Sequence, residues 1–392
     1  MPFQTAVASS AVSTIPFDVD GEVKRRYAEG AGEREAALCC PTNSYEAKYL
    51  ELLPPEIIDK DYGCGDPSRH ISAGETVVDL GSGGGKICYI LAQRVGAAGR
   101  VIGIDFNDAM LALSRKYLDD MAAKLGYHNI EFRKGRIQDL ALDLEAAGSW
   151  LERNPIANVE QAAAFERYCA EFRRQTPLIA DGSVDAVVSN CVLNLVAPEQ
   201  KTKLFGEIYR VLSRGGRAVI SDIVSDKDPT PAMLADPQLW SGCITGALRE
   251  TQFIEAFEHA GFHGIEILAR AEQPWKIIDG VEFRALTLRA YKGKHGPCVD
   301  RRQAVIYKGP WKQVHDDDGH VFVRGQKLGV CEKTYELLTA PDGPYAAEMI
   351  PVLPAENIAS APPEPFDGSK NADRSPLETK GTGSCDQTTS CC

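Results

Sequence analysis

The sequence predicts an α/β fold, a doubly wound sheet with helices on both faces, followed by a smaller α+β domain and a disordered tail. Three observations predict it. Short apolar runs alternate with helix-period segments through residues 75–223, joined by brief glycine-marked turns, which is how a parallel sheet reads. After about residue 285 the pattern changes to short strand-like runs around a turn. From residue 351 onward Pro, Ser, Thr and Gly dominate. The expected organisation is a flexible N-terminus at 1–20, a main α/β domain with an N-terminal helical extension at 21–284, a small α+β domain at 285–350, and a tail at 351–392 that ends in cysteines.

Residues 21–61 read mostly as helix, interrupted by Cys39-Cys40-Pro41 and Pro54-Pro55. Residues 76–80 form a short buried strand, 81–85 a glycine turn, 86–95 a helix and 101–105 the next strand. A helix over 108–125, a strand at 130–133 and one or two Ala- and Glu-rich helices over 141–180 follow. Residues 184–189 are another buried strand, and 198–212 an amphipathic helix that Arg214-Gly215-Gly216 stops ahead of the strand 217–223. In the second domain, 304–308 and 320–324 are strand-like and lie on either side of the turn Asp316-Asp317-Asp318-Gly319.

Apolar residues make up 44% and charged residues 25% of 392, which excludes fibrous and wholly disordered classes. A net charge of −12 argues against a nucleic-acid partner, and the densest basic group (Lys292, Lys294, Arg301, Arg302) reads as solvated surface. No apolar run reaches the roughly 18 residues of a membrane span. No basic residue precedes Lys24, so a secretory leader is not expected and the cytoplasm is. Thiols stay reduced there, so the 12 cysteines are expected to serve chemistry or soft-metal binding rather than a disulfide framework.

Residues 77–85 carry Gly81, Gly83 and Gly85 at the joint between strand and helix, where glycines admit a tight turn and close approach to backbone amides. Asp79 precedes the loop, and Asp105 ends the next strand, where an acid can hold both ribose hydroxyls of a nucleoside. Lys86 stands where a pyrophosphate-binding loop places its third glycine, and Asp79 suits a cationic methionine amine better than a phosphate. The loop therefore favours S-adenosylmethionine over NAD; the bland alternative is a tight turn that binds nothing. Ser82 in the turn, Phe106, Asn107 and Met110 after the second strand, and Ile137 and Gln138 after the third complete the candidate cofactor contacts.

Cys64 lies just ahead of the first strand, Cys191 directly after the fourth and Cys243 in a loop after the fifth. Ligands of an open α/β sheet bind outside the carboxyl ends of its strands, so these thiols are expected to converge near the methyl donor. Three thiolates suit a soft, thiophilic centre rather than a hard, oxygen-seeking ion. Trivalent arsenic takes three sulfurs and keeps a lone pair that can attack a sulfonium methyl, with position as the protein's main contribution. Cys88 and Cys169, inside helices, read as small buried hydrophobes, while Cys298 and Cys331 carry no assignment.

The segments Tyr62-Gly63-Cys64-Gly65, 189–195 with Cys191, and Leu239-Trp240 with Cys243 and 246–248 resemble the arsenite methyltransferases; residues 303–308 are similar to a strand of that family's C-terminal domain. Residues 79–85 with Asp105 look like the cofactor site of class I S-adenosylmethionine-dependent methyltransferases, which implies a Rossmann-like, seven-stranded, mostly parallel sheet. The resemblance covers roughly residues 20–340. It implies As(III) held by Cys64, Cys191 and Cys243, stepwise methylation, and Tyr62, Gly81, Asp105, Gln138 and Asn190 on the cofactor. It also implies a fourth, N-terminal cysteine that pairs with Cys64 and is reduced by thioredoxin or glutathione; Cys39 and Cys40 are both candidates, Cys40 marginally the better. Three departures stand out: Gly242 where a glutamate is usual, Arg249-Glu250 in place of an aromatic pair, and an apparent insertion at 141–180. Another thiophile, a small organic acceptor, or a non-catalytic metalloid- or zinc-binding role stay open. Cys385, Cys391 and Cys392 are either a mobile thiol trap or incidental.

Overall fold

The computed structural model describes residues 15–33, 35, 45–60, 62–352 and 362–367. Cys39, Cys40, Cys385, Cys391 and Cys392 lie outside the described residues.

Helix α1 (Val19–Gly32) begins inside the stretch expected to be loose, and the short helices α2 (Ala47–Leu50) and α3 (Pro55–Asp59) follow. Strand β1 (Thr76–Leu80) is buried on both faces, with Val77, Val78 and Leu80 at 0% exposure, as a central strand flanked by helices requires. Helix α4 (Lys86–Val95) leads to β2 (Arg100–Asp105). The helix expected over 108–125 is two, α5 (Asp108–Arg115) and α6 (Leu118–Leu125), broken at Lys116-Tyr117. Apolar periodicity does not register that break, because Tyr89, Met121 and Phe132 draw both segments onto one buried cluster.

Strand β3 (Ile130–Lys134) precedes α7 (Leu144–Arg153) and α8 (Val159–Gln175), which occupy the inserted stretch. The two pack through Trp150 stacked on Tyr168 at 5.3 Å and form a separate small cluster around Cys169. Strand β4 (Val184–Asn190), α9 (Pro198–Val211) and β5 (Leu212–Ser225) follow. β5 is longer than the sequence indicates and takes in Arg214-Gly215-Gly216. The helices α10 (Pro231–Leu234), α11 (Pro237–Ser241) and α12 (Glu250–His259) precede β6 (His263–Arg270), β7 (Lys276–Ile278) and β8 (Val281–Tyr291).

The main sheet runs β3-β2-β1-β4-β5-β8-β6, with β7 hairpinned onto β8. The pairs β1–β2, β2–β3, β1–β4 and β4–β5 are parallel. The order reverses at β1 and β4, and in such sheets ligands lie at the carboxyl ends beside that switch. No described helix is long and apolar enough to cross a membrane.

The chain divides into two compact units, residues 1–260 with 265–290, and residues 261–264 with 291–392. The second contains β9 (Val299–Asp300), β10 (Ala304–Tyr307), β11 (Gln313–His315), β12 (Val321–Val323), β13 (Lys327–Gly329), α13 (Glu332–Thr339), β14 (Met349–Val352) and β15 (Glu364–Pro365). Of the tail expected to be structureless from 351, residues 351–352 and 364–365 depart from that expectation: they lie in β14 and β15, and Pro351 is tolerated because β14 is an edge strand beside β10.

Candidate functional site

The turn after β1 is held from below, where the Gly81 and Ser82 amides donate to the Ile104 carbonyl at 2.8 and 3.0 Å. Gly81 and Gly83 take φ of +68° and +52°, and a Cβ on Gly81 would sit 2.3 Å from Val192 Cγ1. Asp105 accepts the Gly83 amide at 2.8 Å through one oxygen and the Asn107 amide at 2.8 Å through the other, so the acid is fixed by the loop it faces. Burial pushes its pKa up, and these amides oppose the shift. Asn107 caps α5 and donates to the Lys24 carbonyl at 2.8 Å, tying α1 to the cofactor loop.

One cavity is lined by Tyr62, Asp79, Gly81, Ser82, Gly83, Asp105, Phe106, Asn107, Met110, Ile137, Gln138 and Asn190. Twelve of the thirteen expected cofactor residues are thus brought together. Gly85 is not in that wall: it is the N-cap of α4 at φ +91°, packed beneath Phe132 and Tyr89. The wall also holds residues the sequence gives no signal for, among them Val23 and Tyr27 of α1 and Val192. Two buried acids, an apolar floor of Ile137 and Met110, and a buried Ser82 hydroxyl with no partner among the described residues fit a cationic nucleoside such as S-adenosylmethionine.

The Cys88 thiol donates to Asp79 at 3.2 Å, so this helical cysteine steadies a cavity acid rather than only filling space. Burial and Asp79 push its pKa up, keeping it a thiol. Cys169 and Cys331 are buried and Cys298 is exposed.

Cys64, Cys191 and Cys243 are all buried and share one apolar cluster with Ile223, Trp240 and Phe283. Cys191 and Cys243 take φ of +64° and +60°, a region that costs an L residue about 1–2 kcal/mol. Such strain concentrates where function holds a side chain in place. The Cys64 and Cys191 sulfurs and an Asp222 carboxylate oxygen lie within 4.8 Å of one another. Cys243 Sγ donates to the Cys191 carbonyl at 2.9 Å and lies 3.7 Å from the Tyr27 hydroxyl.

The sequence carries no signal for Asp222, near the end of β5. Burial raises its pKa to about 6, against the Ile223, Leu193 and Asn194 amides it accepts and the nearby Lys201. Burial lowers Lys201 to about 8, with Asp222 and Cys243 opposing. Asn190 does more than line the cavity: its Oδ1 accepts the Cys64 and Gly65 amides at 2.8 and 3.1 Å, and its amide donates to the Gly65 carbonyl. One side chain therefore joins the cofactor wall to the first thiol.

A methyltransferase-domain family matches residues 71–261, and a domain of unknown function matches residues 294–384. An arsenite methyltransferase from Aquipseudomonas alcaligenes is 32% identical over 327 residues, covering 79% of this chain and 84% of that protein. The arsenite methyltransferase of Homo sapiens is 28% identical, covering 81% and 78%. The crystal structure of an arsenic(III) S-adenosylmethionine methyltransferase from Chlamydomonas reinhardtii matches with a TM-score of 0.51 at 28% identity, over 78% of this chain and 94% of that one. The Rossmann-like class I fold, a cavity whose lining fits S-adenosylmethionine and relatives aligned across most of its length lead to one assignment: the chain belongs to the arsenite methyltransferase family.

Proposed function

We propose that the chain methylates trivalent arsenic held by the thiolates of Cys64, Cys191 and Cys243. The observation that carries this reading is the placement of all three buried thiols in one cluster beside the cofactor cavity, two of them on strained backbone. The bound cofactor supplies an electrophilic methyl group on a sulfonium. Asp79 and Asp105 would hold its amine and ribose, and Gly81 and Gly83 leave room for it. Arsenic bound to three sulfurs keeps an unshared electron pair, so the chain supplies no general base for that step and contributes position. Cys243 leaves its hydrogen bond to the Cys191 carbonyl when its sulfur takes up the metalloid. The apolar walls of the cluster, Trp240 and Phe283 among them, exclude water from the sulfurs. A thiol reductant such as thioredoxin or glutathione is the expected partner of the N-terminal cysteines.

The test is transfer of labelled methyl to arsenite in the presence of a thiol reductant, with products resolved by mass spectrometry. Mono- and dimethylated arsenicals are expected. Cys191→Ser and Cys243→Ser each lose transfer by at least about a hundredfold, the scale expected when a positioned reacting group is lost, while S-adenosylhomocysteine still binds. Activity retained in both variants rejects the three-thiol reading.

A further inference from the structure

Helix α1 meets both halves of the site. Its Val23 and Tyr27 line the cofactor cavity, and its Arg26 and Tyr27 reach the loop that carries Cys243. Arg26 is 6% exposed, an uncommon place for a guanidinium without a task. Its Nη1 donates to the Gln238 carbonyl at 2.7 Å and to Ser241 Oγ at 3.0 Å, both in the short helix α11 that ends just before Cys243. Its Nε and Nη2 form a fork onto the Glu35 carboxylate. Gly242 lies beside it, where a Cβ would touch Nη1 at 3.4 Å and crowd the Gln238 carbonyl at 3.0 Å. On the next residue, the Tyr27 hydroxyl approaches Cys243 Sγ at 3.7 Å, while its ring packs edge-on against Tyr62 at 6.0 Å.

We propose that Arg26 and Tyr27 are positioning residues for the Cys243 sulfur: Arg26 clamps the backbone turn that presents it, and the Tyr27 hydroxyl directs it from the cofactor side. The chemistry suits the task. A guanidinium has donors enough to bridge a carbonyl, a hydroxyl and a carboxylate at once. A phenol that stays neutral can donate to a thiolate without competing for the metalloid. Glu35 is itself tied to the cavity wall, its amide donating to the Tyr62 hydroxyl at 3.1 Å. The proposal rests on Cys243 being a metalloid ligand.

The experiment is equilibrium dialysis of the full chain against arsenite, with bound arsenic counted by mass spectrometry, alongside a separate S-adenosylhomocysteine titration. Tyr27→Phe keeps the ring and removes one hydrogen bond, so arsenite affinity falls about fivefold. Arg26→Met removes the clamp and weakens arsenite binding more than tenfold, the size expected for a lost charged hydrogen bond; Arg26→Lys falls between. In Arg26→Met and Arg26→Lys, whose side chain lies outside the cavity wall, S-adenosylhomocysteine affinity stays near the parent's, and in all three variants KM for arsenite rises more than kcat falls. Arsenite affinity equal to the parent's in Tyr27→Phe and Arg26→Met overturns the proposal, as does a parallel loss of arsenite, S-adenosylhomocysteine and thermal stability. A parent chain that does not bind arsenite removes the functional reading and this proposal with it. Parental binding with unaffected variants removes the proposal alone.

Discussion

At the residue scale, the cofactor turn separates what a glycine does by conformation from what it does by lacking a side chain. Gly83 has φ +52° and open space, the nearest atom to an added Cβ being Met110 Sδ at 4.0 Å. Gly81 has φ +68° and Val192 at 2.3 Å. Gly83→Ala therefore costs only strain, about 1–2 kcal/mol. Gly81→Ala adds a clash worth about 1–3 kcal/mol more and drives Val192 within the cavity. Calorimetric titration with S-adenosylhomocysteine should show a loss of more than about tenfold for Gly81→Ala, at least about 1.4 kcal/mol, against a few-fold for Gly83→Ala. Equal losses would mean that the turn's dihedral angles, not the approach of Val192, govern binding. The same contrast explains what was legible. Gly81 and Asp105 could be singled out from one strand–turn–strand pattern, and the three cysteines from their places beside three strand ends together with the family resemblance. Tyr27 and Asp222 could not, because the first reaches Cys243 across 216 positions and the second is an ordinary strand residue until the sheet pairs.

At the element scale, β-α alternation was legible because the central strands β1, β2 and β4 bury nearly continuous apolar runs. Boundaries were less so: α5 and α6 share one apolar face across a break, and β5 extends through a glycine pair that reads as a stop. The second unit is decided by burial rather than pattern, and one strand residue makes that testable. His263 of β6 is 2% exposed, its ring stacks on Tyr345 at 6.2 Å, and neither ring nitrogen has a partner among the described residues. Burial, with help from Lys294, lowers its pKa to about 4 from an ordinary 6.5, against Asp317 and Asp318. The unfolded chain takes up this proton near pH 6.5 while the folded one does not, so stability is lost as pH falls from about 6.5 to 4. The shift corresponds to at most about 3 kcal/mol. His263→Leu keeps an apolar ring-sized volume and removes the proton site. Thermal melts at pH 7 and pH 4.5 should show the parent losing more stability than the variant; identical losses would assign acid sensitivity to the carboxylates instead.

At the scale of the whole molecule, the cofactor cavity and the thiol cluster both belong to residues 1–260 with 265–290, and residues 291–352 have a hydrophobic cluster of their own around Val305, Tyr307, Phe322 and Val330. Two cores in one chain predict two cooperative transitions rather than one. A ligand stabilises only the unit that binds it, by about 2.7 kcal/mol at a hundred times its dissociation constant. For a unit of this size that is roughly 5–10 °C in melting temperature. Differential scanning calorimetry with saturating S-adenosylhomocysteine should raise one endotherm by that amount and leave the other in place. His263→Leu marks the second endotherm by changing its acid dependence, because His263 and its partners Tyr291, Lys294 and Tyr345 all fall within residues 261–264 and 291–392. A single endotherm that moves as a whole would mean that the two cores unfold as one block.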